Sequence, residues 1–390
     1  MGSLLIAVIY LIFISLGLPD SLLGSGWPVM QTMLRVPSSY AGYVSMLICC
    51  MTIISALSSP RLIQRFHTKW IVIVSVGLSI LGLLGFSFAE RYWMLLLCAV
   101  PYGLAAGAID AAVNHYVANH YSSSVMNFLH AFYGIGAAVS PYIMGHALSV
   151  ARWNEGYSWT AFIQAGILLV CILSLPLWKQ KEGAEQVRQK DSTGLKEALL
   201  IPGVLLTLIS FFAYCAGEAT CFLWVPSYFA RTKEGLSDST VASFGCLIFL
   251  GLTIGRLISG LVSVRLGDRL LIRIGITVEL AGILLLLLPV RGYLATVIGF
   301  LVTGTGMGPV YPAIQHMAPV NFGEKNSSAV IGLQMASAYI GSTFMPMVFG
   351  HLQQGIGIWI MPFYLLFFAL MNISLLEIAY RRISNKQSAA

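Results

Sequence analysis

SSVMNFLHAFYGIGAAVSPYIMGH, residues 123–146, has a counterpart at 328–351, SAVIGLQMASAYIGSTFMPMVFGH. At an offset of 205, Ser123 meets Ser328, Gly136 meets Gly341, Pro141 meets Pro346, Gly145 meets Gly350 and His146 meets His351. In the preceding segment an offset of 201 pairs Gly103 with Gly304, Gly107 with Gly308, Asn114 with Gln315 and His115 with His316. Arg65 falls opposite Arg265 in the same way. Apolar segments resemble one another by composition alone. Matched Gly, Pro, Arg and His in one order at a nearly constant offset point instead to two copies of one unit.

The sequence around these stretches is apolar. Of 390 residues, 57% are hydrophobic and 9% charged, whereas soluble globular domains carry about 25% charged residues. Stretches of about 20 residues have almost no charge, as a hydrocarbon core of roughly 30 Å demands of a spanning helix. Charges and turn residues predict helices at 3–30, 40–62, 69–89, 92–117, 123–147, 158–177, 198–229, 239–263, 270–289, 292–315, 325–349 and 356–380. The first and seventh exceed the spanning minimum and must tilt, bend or emerge, with Pro19, Pro28, Pro202 and Pro226 as places to break. Membrane strands would alternate polar and apolar residues over about ten positions, and these runs do not. The expected fold is all-α: a polytopic membrane protein with twelve transmembrane helices in two pseudo-symmetric six-helix bundles. The bundles are 1–178 and 198–390, with a cytoplasmic linker at 179–197 that has room for a short surface helix.

The opening MGSLLIAVIYLIFISLGLP lacks the basic n-region of a signal peptide and reads as the first spanning helix. The net charge of +7 lies almost entirely between apolar segments, which argues against nucleic acid as a partner. With both termini cytoplasmic, fifteen of the 22 Lys+Arg fall on the inner side and six on the outer, so the positive-inside rule predicts a multi-pass cell-membrane protein in that orientation. All seven cysteines fall inside predicted helices as small buried hydrophobes. Neither a metal site nor a cofactor is expected.

Two loops and two acids carry a family resemblance. SSPRLIQRFHTK (58–69) and GRLISGLVSVRLGDR (255–269) occupy equivalent places in the two copies. With the duplication, they make the whole chain similar to the major facilitator superfamily, whose loop has a Gly…Asp-Arg-x-Gly-Arg/Lys pattern. Arg65 and Lys69 match it without the leading Gly and the Asp; the second copy keeps Gly255, Arg256, Gly260, Arg265 and Gly267, and its Asp268 follows the glycine. The resemblance implies that Arg65, Arg256 and Arg265 belong to a cytoplasmic latch, altered in the first copy. Asp20 in GLPDSLLGSGWP, Asp110 in GLAAGAIDAAVNHY and the stretch FLHAFYGIGAAVSP further resemble the fucose-permease-like branch of proton-coupled sugar carriers. That likeness implies proton coupling or substrate binding at Asp20 and Asp110, although the fucose carrier itself resembles a Glu user at the second position.

The polar residues inside the apolar segments argue in the same direction. Gly103, Gly107, Asp110 and Asn114 lie on one helical face, with glycines for close helix approach and a carboxyl beside an amide. A charge held there costs several kcal/mol unless paired or hydrated, and a carboxyl can shed that cost by taking a proton. Asp20, Gly24, Trp27 and Gln31 form a similar stripe; Asn127, His130 and Gly134 share a face; Tyr214, Glu218 and Phe222 share another, with Trp224 close by. Gln315 and Gln334 offer amides to hydroxyls. The bland readings are acids paired with a base or a helix break, a histidine tying two helices, and aromatics packing or belting the interface. Arg256 reads as reaching the cytoplasmic side or its neighbours, with Glu279 as its partner or as a cavity acid. GTGMGP (304–309) lacks the Lys-Ser/Thr of a phosphate loop and reads as crossing glycines.

No metalloprotease, serine-triad or cysteine–histidine pattern appears, so the chain is expected not to be an enzyme. The reading is secondary transport by alternating access. Asp20, Asp110 and Glu218 carry proton coupling, with sodium the alternative ion. Trp27, Asn114, Asn127, His130, Tyr214, Trp224, Gln315 and Gln334 line a site for a small-molecule substrate, a sugar in the first reading. Gly103, Gly107, Arg65, Arg256 and Arg265 serve packing and gating. Membrane lipids surround a monomer. Proton-driven efflux of an amphipathic compound and a non-transporting receptor or assembly protein are the competing readings.

Overall fold

The computed structural model describes residues 2–121, 123–150, 152–178, 195–289 and 292–389, apart from some side chains that include Asn127's. Most of the predicted linker, 179–194, lies outside the described residues. Every regular element described is a helix. The first predicted span divides into α1 (Gly2–Gly17) and α2 (Leu22–Met33). At the break, beside Pro19, the bonds tighten to three-residue spacing, with Asp20 N–H to Gly17 carbonyl and Leu22 N–H to Pro19 carbonyl both 3.2 Å. Two predicted spans run together as α3 (Tyr40–Ser87), which turns at His67. Then come α4 (Tyr92–His120), α5 (Ser123–Val150) and α6 (Trp153–Leu173).

The second copy begins with α7 (Leu195–Leu199), a short helix in the region read as linker. The predicted seventh span starts later than expected, as α8 (Val204–Thr232). Pro202 and Gly203 interrupt it, and Gly203 takes φ +93, which a side chain resists. There follow α9 (Asp238–Ser243), α10 (Cys246–Leu266), α11 (Asp268–Leu287), α12 (Leu294–Met307), α13 (Val310–His316), α14 (Ala318–Phe322), α15 (Glu324–Gly355) and α16 (Met361–Ala389). Among the described residues ten stretches are long and apolar enough to cross a membrane. The more polar α5 and α15, of 28 and 32 residues, have the length to complete twelve. Leu57, Leu97 and Leu261 stand exposed on these helices, an arrangement suited to lipid.

The duplication is written into the packing. Gly136 of α5 lies against the Ile14 carbonyl of α1, and Gly341 of α15 against the Phe212 carbonyl of α8. Gly107 of α4 meets Thr52 of α3; Gly308, after α12, meets Leu252 and Arg256 of α10. Gln164 of α6 is tied to Ser15 of α1, and Ser210 of α8 donates to Asn372 of α16 at 2.7 Å. Even the loops correspond: His67 takes φ 59, ψ 148, and Gly267 takes φ 71, ψ 157.

Two compact units contain these helices. The first comprises Met1–Gln180, Phe222–Phe249 and Pro346–Ile358. Its core includes Ile9, Ile12, Phe13, Val113 and Leu129. It also contains a polar clasp between segments distant in sequence. Arg231 donates to Gln353 Oε1 at 2.9 Å and Gln31 Oε1 at 3.2 Å, Gln353 donates to Ser38 Oγ at 2.7 Å, and Ser39 donates to Gln354 Oε1 at 2.7 Å. Gly24 against Phe222 and Gly350 against Ser39 let the backbones meet there. The second unit comprises Lys181–Cys221, Leu250–Met345 and Trp359–Ala390.

Candidate functional site

In the first unit the break between α1 and α2 places Asp20 where its exposed carboxylate is reached by two hydroxyls. Tyr102 of α4 donates to Oδ1 and Tyr133 of α5 donates to Oδ2, each at 2.6 Å. The next residue anchors the turn: Ser21 donates to the Ala137 carbonyl, with Ser140 Oγ also 2.6 Å away. A Cβ on Gly17 would run into the backbone of Tyr133 and Ala137, so this glycine is what brings the acid to α5.

Asp110 lies half-buried on α4, where Gly103 and Gly107 fit against Ile48 and Thr52 of α3. Asn114, one turn on, donates to Asp110 Oδ1 at 2.9 Å, while its own Oδ1 is buried without a partner. His130 is exposed, with its ring edge-on to Phe13 at 5.6 Å. Asn127 occupies the same helix, but its side chain lies outside the described residues.

In the second unit, Glu218 of α8 is the centre. Tyr214 OH lies 2.8 Å from Glu218 Oε1 and 3.0 Å from the Met307 carbonyl, so its one proton serves either acceptor. Arg256 Nη2 stands 3.8 Å from the same Glu218 oxygen. Arg256 therefore pairs with Glu218 and not with Glu279. Gln315 Nε2 donates weakly to Tyr311 OH at 3.4 Å and also approaches Met335 Sδ at 2.9 Å.

Other predicted site residues are elsewhere. Trp27 is fully buried and donates to the Ser38 carbonyl at 2.8 Å; Trp224 is equally buried and donates to the Pro346 carbonyl at 2.8 Å. Both indoles pin backbone at the clasp and offer no open face. Gln334 is fully buried, with neither side-chain polar atom hydrogen-bonded. Arg65 is exposed beside the turn in α3 and lies over Phe66 at 5.4 Å, and Arg265 is exposed near the end of α10. Sequence reasoning did not select Tyr102 and Tyr133, which hold Asp20. Each immediately precedes a glycine, a weak signal on its own. Among the described residues no group of three or more His, Cys, Asp or Glu is placed to hold a metal ion.

A helical bundle of spanning length, with acids inside it that receive hydrogen bonds from neutral groups, defines a polytopic membrane protein with a polar interior of the kind a solute path needs. The sequence matches the Major Facilitator Superfamily over residues 9–346 and again over 235–389, and the chain belongs to that family. It is 22% identical to Bypass of stop codon protein 6 of Saccharomyces cerevisiae, over 90% of this chain and 77% of that protein. It is also 22% identical to the class B tetracycline resistance protein of Escherichia coli, over 83% of this chain and 84% of that one. The solved structure of the nucleoside transporter NupG superposes with a TM-score of 0.76 at 14% identity, covering 96% of this chain and 98% of that chain. That likeness is one of fold.

Proposed function

We propose that the protein is a proton-coupled symporter that imports a monosaccharide or similar small polar solute by alternating access. The observation that carries this reading is the company of its acids. Asp20 accepts hydrogen bonds from two tyrosine hydroxyls and Asp110 from an amide, neutral donors in both cases. A carboxylate within membrane helices without a cationic partner is costly when ionised, and neutralising it with a proton changes which state of the carrier is favoured. Solute binding to the loaded form then shifts the population toward closure around the site. In the second unit, Gln315 and the Tyr214 and Tyr311 hydroxyls offer mixed donors and acceptors of the kind a polyol needs.

Two six-helix bundles, 1–178 and 198–390, rock against each other in this scheme, and each polypeptide is a complete carrier. With both termini cytoplasmic in a cell membrane, the clasp of Arg231, Gln31, Gln353 and Ser38 lies on the outer side and has to part for solute to enter. The word sugar rests on the likeness of Asp20, Asp110 and the α5 stretch to fucose-permease-like carriers. Sodium is the competing ion.

The deciding measurement is uptake into proteoliposomes of a panel of labelled monosaccharides under separate proton and sodium gradients. Concentrative uptake is expected with the proton gradient. D110N is expected to abolish it while leaving counterflow exchange; full concentrative uptake by D110N removes Asp110 from coupling. The similarity to a tetracycline resistance protein favours efflux as the second reading, which predicts proton-driven accumulation of amphipathic compounds in inside-out vesicles and no monosaccharide uptake.

A further inference from the structure

The run Gly304–Pro309, read from the sequence as helix-crossing glycines, gathers more chemistry than packing requires. A Cβ at Gly306 would strike the backbone of Glu279 on α11, and one at Gly308 would lie 2.9 Å from the backbone nitrogen of Arg256 on α10. Between them, the Met307 carbonyl is 3.0 Å from the Tyr214 hydroxyl, which also reaches Glu218. Three helices thus bring Glu218, Arg256 and Glu279 to one short stretch of backbone. Arg256 is committed to Glu218, 3.8 Å away. Glu279 is left over: it is 4% exposed, and its Oε2 is buried with no hydrogen-bond partner.

We infer that Glu279 is a second proton-binding carboxyl of the transport cycle, working beside Glu218 across the Gly304–Pro309 backbone. This rests on the proton-coupled reading above and extends it to a site on α11. Among the described residues, the groups around Glu279 supply it no counter-charge. On α8, Glu218 and Cys221 bear on it electrostatically, and both add negative charge or none. On α10, Arg256 faces Glu218. α12 carries no titratable side chain. On α13, Tyr311 packs against Phe211 and Tyr214, and His316 is bound to Asp268 at 2.8 Å. On α16, Glu377 is paired with Arg273 at 2.6 Å and also faces Arg381, Tyr380 lies beneath Arg269, and Tyr364 donates to the Met345 carbonyl. An ionised carboxylate so enclosed is strongly disfavoured, so Glu279 holds its proton in this state. When the surroundings open, the O–H bond breaks, the proton passes to water, and the carboxylate left behind keeps both bonding electrons.

Infrared spectroscopy of the purified full-length protein tests this without any transported solute. The protonated-carboxyl C=O band of the wild type is expected to diminish as pH is raised. E279Q should lack that component, and E218Q should retain it with a midpoint displaced by about one pH unit, as for interacting sites. A band identical in E279Q and wild type throughout the titration overturns the proposal, as does a component that persists at every pH at which the protein stays folded. If E279Q fails to insert, Glu279→Asp serves: an unchanged band there also overturns it. In proteoliposomes with the monosaccharide panel, E279Q should cut concentrative uptake about tenfold and spare counterflow. An absence of monosaccharide transport in the wild type would sink the sugar-symport reading and leave the infrared result to judge Glu279 by itself.

Discussion

Gly341 stands against the backbone carbonyl of Phe212, six residues before Glu218, just as Gly136 stands against the carbonyl of Ile14, six residues before Asp20. The two acids therefore occupy corresponding places in the two copies, Asp20 at the break after α1 and Glu218 within α8, each near a glycine that lets a neighbouring helix come to backbone contact. Their partners differ. Asp20 has two tyrosines, whereas Glu218 has a tyrosine and an arginine.

These glycine contacts predict a stability pattern. A Cβ at 136 or 341 would press on backbone, while one at Gly332 would meet nothing within 4 Å. G136A and G341A should each destabilise by about 1–3 kcal/mol through overpacking, and G332A should stay within about 0.5 kcal/mol. Thermal melts followed by tryptophan fluorescence in detergent will separate the two classes.

The tyrosine pair at Asp20 predicts a graded functional loss. A hydrogen bond to a charged group contributes about 1.5–3 kcal/mol, so Y102F and Y133F should each lower initial concentrative uptake about tenfold. The double variant should approach D20N. Wild-type uptake by the double variant would show that the two hydroxyls do not tune this acid.

At His67 the backbone sits at φ 59, ψ 148, a region close to glycine-only territory, while its counterpart in the second copy is Gly267. Such strain costs of order 1–3 kcal/mol, part of which glycine's extra unfolded-state freedom offsets. H67G should raise stability by about 1 kcal/mol, read as an increase in melting temperature. A decrease would mean that the imidazole contributes more than its backbone costs.

The clasp predicts a reversible lock. Ser39 Oγ and Gln354 Oε1 are 2.7 Å apart, so S39C/Q354C should be bridged by a short bis-methanethiosulfonate reagent, which arrests uptake and releases it on reduction. Uptake that continues after complete crosslinking would show that this end need not part during transport.

Much of this architecture was legible in the chain. Apolar runs of spanning length identify membrane helices because lipid offers the backbone no hydrogen-bond partners. The paired glycines disclosed the duplication because a missing side chain at a crossing is a constraint on the residue itself. Asp110 with Asn114 was readable for a similar reason: i and i+4 meet on any helix. The tyrosines on Asp20 were not, since each comes from a helix about a hundred residues away in sequence. The surroundings of Trp27 and Trp224 were not legible either, since a stripe of one helix does not say what covers it; both are buried and donate to backbone.

By itself, then, the sequence determined that the chain spans a membrane repeatedly, that it does so twice over in one pattern, and which few acids the lipid would not tolerate unaided. Those are properties of single helices and of residue types, set by local hydrogen bonding and transfer energy. Which acid has a cation, which has only hydroxyls and which has a bare oxygen was decided by tertiary packing. A side chain's counter-charge is supplied by whichever helix lies against it, and sequence spacing does not encode that neighbour.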